Sequence, residues 1–220
     1  MVDLFDASYD WPGHHLLKDI VHGKKNVSDW DTHIENLFKN YNDRNILVNF
    51  ISNHDENSWN GTVASRLGDN AHAAYVLCAT LPNAIPLIYS GQEVGLNHSL
   101  RFFERDTIDW SLDSQADFYG LMNQLNSTLP ALANGASGGT YQAITSNQDR
   151  VFAFARKMQD RDVVMVVNFS DKDQDITIQG APSGNYHDAF TGEGMRLSAD
   201  ESSLFLPAHG YALLVNDGGH

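Results

Sequence analysis

Three short apolar stretches in the first half of the chain each run into side chains that could hold a neutral polyhydroxylated ligand. The first leads into Asp6, Tyr9, Asp10 and Trp11, the second, "ILVNFIS", into Asn53, His54, Asp55 and Glu56, and the third, "AIPLI", into Tyr89, Ser90, Gly91, Gln92 and Glu93. Carboxylates, amides and a histidine supply the hydrogen bonds that ring hydroxyls need, and aromatic faces supply stacking surface. In parallel α/β folds such residues gather at the carboxyl ends of the strands, where active sites lie. Any one cluster alone reads equally well as a set of helix caps, because Asp and Asn after a strand are common N-caps. Three in corresponding positions favour a shared rim.

The elements that must hold this rim follow from apolar spacing. Strands are expected over 2–5, 46–51 and 85–89, and helices over 14–40, 65–81 and 115–125, which gives three β/α units and a parallel sheet covered by helices. After "NGASGGT" the texture changes to short segments alternating at period two, among them "RVFAFARKM" and "DVVMVVNFS", as in an antiparallel β-sandwich. The domain boundary is therefore placed near Gly135, with 1–134 as the α/β part and 135–220 as the all-β part.

Composition narrows the function classes. The chain has 220 residues and a formal net charge of −14, so nucleic acid and anionic membrane surfaces are disfavoured as partners. No basic patch offsets this, since Lys18, Lys24 and Lys25 are too sparse. The single Cys78 excludes an intrachain disulfide and a cysteine-based zinc site. The histidines lack the helical spacing plus third ligand that a metal centre requires. No phosphate-binding glycine loop stands at a strand-to-helix junction, which argues against nucleotide use. The start shows neither a signal-peptide pattern nor a membrane-spanning run, so a soluble chain is expected, with its compartment open.

The motifs carry a family resemblance. "FISNHDEN" resembles the segment after the seventh barrel strand of the α-amylase family of glycoside hydrolases, and "AIPLIYSGQEVG" resembles that family's eighth-strand segment with its Gly-x-Glu. "FDASYDW" with "HHLLKDIVHGKK" is similar to the sixth unit, "FFERDTIDW" to the stretch after the eighth strand, and residues 140–216 to the C-terminal β domain. The resemblance covers nearly the whole chain in the family's order. It implies a partial (β/α)8 (TIM) barrel followed by a β-sandwich, and action on α-1,4-glucans such as starch and maltooligosaccharides by a retaining mechanism. By the resemblance, Asp55 is the carboxylate that grips the reacting sugar and favours its distorted state, and His54 hydrogen-bonds the same sugar. Asn53, Trp59, Tyr89 and Glu93 complete the expected substrate contacts.

A retaining glycosidase also needs a nucleophilic carboxylate and a separate general acid. The family's Gly-x-Arg-x-Asp nucleophile pattern and its general-acid segment do not occur in these 220 residues. A complete barrel takes about 250 residues, so the chain reads as a C-terminal part beginning at the sixth strand. Calcium, which the full-length family can bind, has no expected residues here, and no other cofactor is expected. An uncovered three-stranded sheet also implies oligomerisation through its edges. Two alternatives stand beside the hydrolase: a catalytically silent glucan-binding or assembly module, and an unrelated hydrolase using His54 and Asp55 as base and orienter. The last is disfavoured because adjacent residues at a strand end diverge.

Overall fold

The computed structural model describes residues 5–41, 45–112 and 115–218. Its first part is a three-stranded parallel sheet in the order β1 (Ala7–Tyr9), β2 (Ile46–Phe50), β3 (Ala84–Leu87), with Ala7 opposite Ile46 and Leu47 opposite Ala84. Most of the strand expected at 2–5 lies outside the described residues. The segment that pairs with β2 is Ala7–Tyr9, so Asp6 precedes the strand and Asp10 follows it.

Two expected helices are each broken by a glycine. Residues 14–40 form α1 (Trp11–Val21) and α2 (Asp29–Asn40), because Gly23 takes φ +70°, a left-handed conformation that ends a helix at little cost only for glycine. Asp10 starts α1 by accepting the Gly13 N–H at 2.9 Å, and Pro12 fills the first turn. Residues 65–81 likewise divide into α3 (Val63–Leu67) and α4 (Ala71–Thr80) around Gly68. The helix α5 spans Ala116–Thr128.

The second part is one antiparallel sheet of eight strands: β4 (Thr140–Ser146), β5 (Val151–Lys157), β6 (Val163–Asn168), β7 (Gln174–Gln179), β8 (Gly184–Asp188), β9 (Gly194–Leu197), β10 (Ser202–Leu206) and β11 (Tyr211–Asn216). Their spatial order is β10-β7-β4-β5-β6-β11-β8-β9. The start of β4 pairs with β5 and its end with β7, so the sheet turns back on itself. Val151, Ala153, Val164 and Val166 then meet Ile176, Ile178, Leu204 and Leu206 across an interior. This is the sandwich layering that the sequence pattern implies.

The other faces of β5 and β6 are buried as well. Phe152, Phe154, Val163, Met165 and Val167 join Leu17, Trp30, Ile34 and the residues of α4 in one core. Burial on both sides explains why "VVMVV" is a continuous apolar run rather than an alternating one. It also explains α4, whose Ala73 to Thr80 are all buried: a helix apolar all round is one covered all round. Polar ties cross the same seam. Arg156, 2% exposed, donates to the carbonyls of Thr80 and Leu81 at the end of α4 at 3.2 and 3.0 Å, and to those of Gly139 and Ala133, both at 2.9 Å. Arg150 donates to the last carbonyl of α1, that of Val21, at 3.2 Å. Tyr141 donates its hydroxyl to Asp31 at 2.5 Å. The β part thus rests against the helices that back the parallel sheet, and holds the sheet's outer layer in place.

Candidate functional site

The β2 strand carries the site. Leu47, Phe50 and Ile51 are buried, and the chain leaves the sheet through Ser52 and Asn53 into a short π-helical turn, Glu56–Asn60. Asn53 is 1% exposed, and its Oδ1 accepts the Glu56 N–H at 2.8 Å, so it caps the turn. This cap turns His54 and Asp55 outward, where both side chains are about half exposed and approach to 3.6 Å. The pair therefore stands at the rim on a rigid stalk.

Beneath the rim lies a buried ionic cluster. Glu56 is 2% exposed and Arg66 5%. Arg66 donates through Nη1 to Glu56 Oε2 at 3.1 Å, through Nη2 to the Ile51 carbonyl at 2.9 Å and through Nε to the Gly61 carbonyl at 3.0 Å. One guanidinium thus binds both ends of the segment that carries His54 and Asp55. His14, from α1, donates Nδ1–H to the Phe50 carbonyl at 3.0 Å, because a carbonyl can only accept. Its Nε2 then faces Arg66 Nη1 at 3.3 Å and Glu56 Oε2 at 3.2 Å. Burial holds the His14 imidazole below its ordinary value, against the opposing pull of the Phe50 carbonyl and the Glu56 carboxylate. Burial alone would raise the Glu56 carboxyl, but His14 and Arg66 outweigh it and hold the group below the usual carboxylate range.

Aromatic side chains crowd the exposed side. Trp59 is 63% exposed and lies 5.6 Å from Phe102 and 6.5 Å from Phe103 between ring centroids. The His54 ring is 5.7 Å from Phe102. The segment bearing the phenylalanines is strapped to the π-helical turn: Asn57 donates to the His98 carbonyl at 3.2 Å and accepts the Leu100 N–H at 2.7 Å, and Ser58 donates to the Leu100 carbonyl at 2.8 Å.

The third strand end serves a different local purpose. Glu93 accepts the Gly91 N–H at 2.8 Å, across a turn in which Gly91 takes φ +93° and an added Cβ would lie 2.7 Å from Leu96. Tyr89 is half-buried, and burial raises its hydroxyl. Among the described residues, neither Tyr89 nor Glu93 hydrogen-bonds to or stacks on His54, Asp55 or Trp59. At the first strand end, Asp10 is buried, caps α1 and pairs with His33 Nε2 at 2.9 Å. The capping role holds for Asp10 and Asn53, whereas His54, Asp55 and Trp59 are the groups presented outward. Arg66, His14, Phe102 and Phe103 are additional members of the site. Glu56 is visible in the motif, but nothing in sequence spacing marks Arg66 as its partner.

A three-stranded parallel sheet backed by helices, with an appended antiparallel sheet, is the arrangement of a partial barrel followed by a β domain. Residues 141–213 match the family described as Maltogenic Amylase, C-terminal domain. The chain is 26% identical over 205 residues to Alpha-amylase 2 of Dictyoglomus thermophilum, covering 87% of this chain and 34% of that protein. Its fold matches the noncanonic maltogenic alpha-amylase AmyB from Thermotoga neapolitana with a TM-score of 0.80 at 19% identity, over 97% of this chain and 51% of that one. It also matches AmyP, solved in complex with maltose, with a TM-score of 0.72 at 18% identity, over 97% and 50% of the two chains. The chain spans about a third of the length of the curated relative and half of that of the solved structures it resembles.

Proposed function

We propose that these residues form the substrate-gripping part of an α-amylase-type glycoside hydrolase, with Asp55 and His54 holding one glucose unit of an α-1,4-glucan. The observation that carries this is the geometry of the Asn53-His54-Asp55 segment: a capped, ion-locked turn that presents a half-exposed carboxylate and imidazole together beside exposed aromatic rings. A carboxylate so held contributes to a retaining mechanism by hydrogen bonds that strengthen as the sugar flattens toward its oxocarbenium-like state. It needs a nucleophile and a general acid from elsewhere, since neither family pattern occurs in this sequence. Trp59 supplies stacking surface. Tyr89 and Glu93 shape the neighbouring turn, and Asn53 acts through the turn it caps. The relatives' names, and a neighbour solved with maltose, support the choice of α-glucan.

Among the described residues, no group of three or more His, Cys, Asp or Glu side chains is arranged to hold a metal ion, so no step is assigned to calcium. No helix among them is long and apolar enough to cross a membrane. Titration calorimetry with maltopentaose tests the proposal: Asp55→Asn should weaken binding about tenfold or more, as expected for loss of a charged hydrogen-bond acceptor. Equal affinity of the two proteins would refute the assigned role.

The second part of the proposal concerns the sheet edges. Among the described residues β1 and β3 each have one neighbour, and Phe5, Tyr9 and Ile85 are 65%, 41% and 42% exposed along them. Such edges favour strand pairing with another copy. Light scattering should show a mass above that of the 24.4 kDa monomer, whereas a monomer at all concentrations would remove this part.

A further inference from the structure

We infer that the open side of the β part, between β9 and β10, is a binding site for a neutral, largely apolar small molecule that carries a hydroxyl group, with His209 holding the hydroxyl. The inference is independent of the reading of Asp55 and His54 as a sugar site.

β9 ends at Leu197 and β10 begins at Ser202, and Ser198 closes the joint between them by donating its N–H to Ser202 Oγ at 2.8 Å. The two strands nevertheless do not pair. β9 stands at one end of the sheet order and β10 at the other, and a cavity of about 610 Å³ opens where they part. Its lining comes from residues 188–214 alone, so the β part encloses it by itself. Leu204, Leu206, Ala212 and Leu214 form the floor and belong to the apolar interior of the sandwich, against which the half-buried Met195 also packs. Water against such a floor is unfavourable, and the volume lies in the range that small ligands occupy.

The polar groups of the lining select the class of ligand. His209 Nδ1 is buried and has no hydrogen-bond partner among the described residues. The residue takes φ +58°, a conformation unfavourable for any side chain with a Cβ, and the surrounding turn fixes it there. Its N–H donates to the Ser170 carbonyl at 3.0 Å, the Gly210 N–H donates to the Pro207 carbonyl at 2.9 Å, and Asn168 Nδ2 donates to that same carbonyl at 2.8 Å. Strain held in place in this way is typical of ligand clamps. A hydroxyl both donates and accepts, so it satisfies Nδ1 in either tautomer. Carboxylates and phosphates are disfavoured, because Asp188 and Glu193 line the same cavity. Asp188 already accepts the Leu213 N–H at 3.2 Å and the Thr191 hydroxyl at 3.0 Å, so it repels anions without competing for the ligand's hydroxyl. A sugar is disfavoured as well, since most of its hydroxyls would meet the aliphatic floor.

The test is titration calorimetry of the 220-residue chain with 1-naphthol, an apolar bicycle bearing one hydroxyl, and with its anionic counterpart 1-naphthoate. The wild type should bind 1-naphthol saturably at one site, and 1-naphthoate at least about tenfold more weakly. His209→Gly should weaken 1-naphthol about three- to tenfold, the size of one neutral hydrogen bond, and Met195→Trp should abolish binding by filling the cavity. Thermal unfolding keeps these readings clean. Glycine adopts φ +58° without strain, so His209→Gly should unfold no earlier than the wild type, and tryptophan suits an edge strand such as β9. No saturable binding of 1-naphthol by the wild type would overturn the inference, as would unchanged affinity in either variant or equal affinity for 1-naphthoate. Displacement of 1-naphthol by maltopentaose would assign the cavity to a sugar and overturn it too.

Discussion

Replacing Arg66 with Ala should lower stability by about 3–5 kcal/mol, the range for removing one partner of a buried ion pair, and the thermal midpoint by on the order of 10 °C for a chain of this size. The loss exceeds that of an ordinary surface pair because Glu56 stays behind, buried and charged, beside His14 and Asn60. The carbonyls of Ile51 and Gly61 also lose their donor. The effect should depend on pH with a definite sign. In the native protein the Glu56 carboxyl is held below its usual 4.5, so its stabilising contribution is present above that value and is lost as pH falls through the folded-state value. In Arg66→Ala the lone carboxylate is relieved by protonation, so the gap between variant and wild type should narrow toward acid. The double variant Glu56→Leu, Arg66→Met should recover much of the loss, because removing both charges abolishes the unpaired one. Urea denaturation at neutral and acid pH measures all three. A loss below about 1 kcal/mol for Arg66→Ala would show that the ion pair does not lock the turn.

Arg156→Ala should cost about 3 kcal/mol or more, by a different mechanism. No carboxylate is paired with Arg156 among the described residues. Its guanidinium is held by four backbone carbonyls drawn from the end of α4, the segment before the β part and the entry to β4. Burial lowers its value to about 10, which leaves it charged at neutral pH, and the negative end of the α4 dipole favours that charge. Truncation leaves the carbonyls without a buried donor and opens space against α4. Arg156→Lys should recover only part of the loss, because a single ammonium cannot reach three directions at once. Chemical denaturation gives the comparison, and full recovery by lysine would show that charge alone, rather than the forked geometry, ties the two parts together.

The rim was legible because its residues are adjacent in sequence. A buried apolar run that stops at Asn-His-Asp declares both a strand and what the strand presents, and the two glycine-containing turns on either side of the Gln92–Val94 segment bound its neighbour. What the spacing could not supply were partners brought together by folding. Arg66 lies ten residues beyond Glu56 across a π-helical turn and a glycine, a path with no fixed period. His14 comes from another helix altogether. The helix breaks were harder to place because Gly23 and Gly68 interrupt otherwise continuous amphipathic patterns, and a glycine within such a pattern does not reveal the sign of its φ. The alternation in the second half identified antiparallel strands, but the fully buried faces of β5 and β6 depend on their covering by α4 and α1. Arg156 reads in sequence as one more outward residue of an alternating strand.

We propose that an α-glucan is held at the end of β2. Amide chemical-shift mapping of the chain titrated with maltopentaose tests it most directly, because it reports where the sugar lies as well as whether it binds. Saturable shifts centred on residues 53–60 and 98–103, weakened in Asp55→Asn, are expected. Saturable shifts confined to the β part, with 53–60 unmoved, would contradict it.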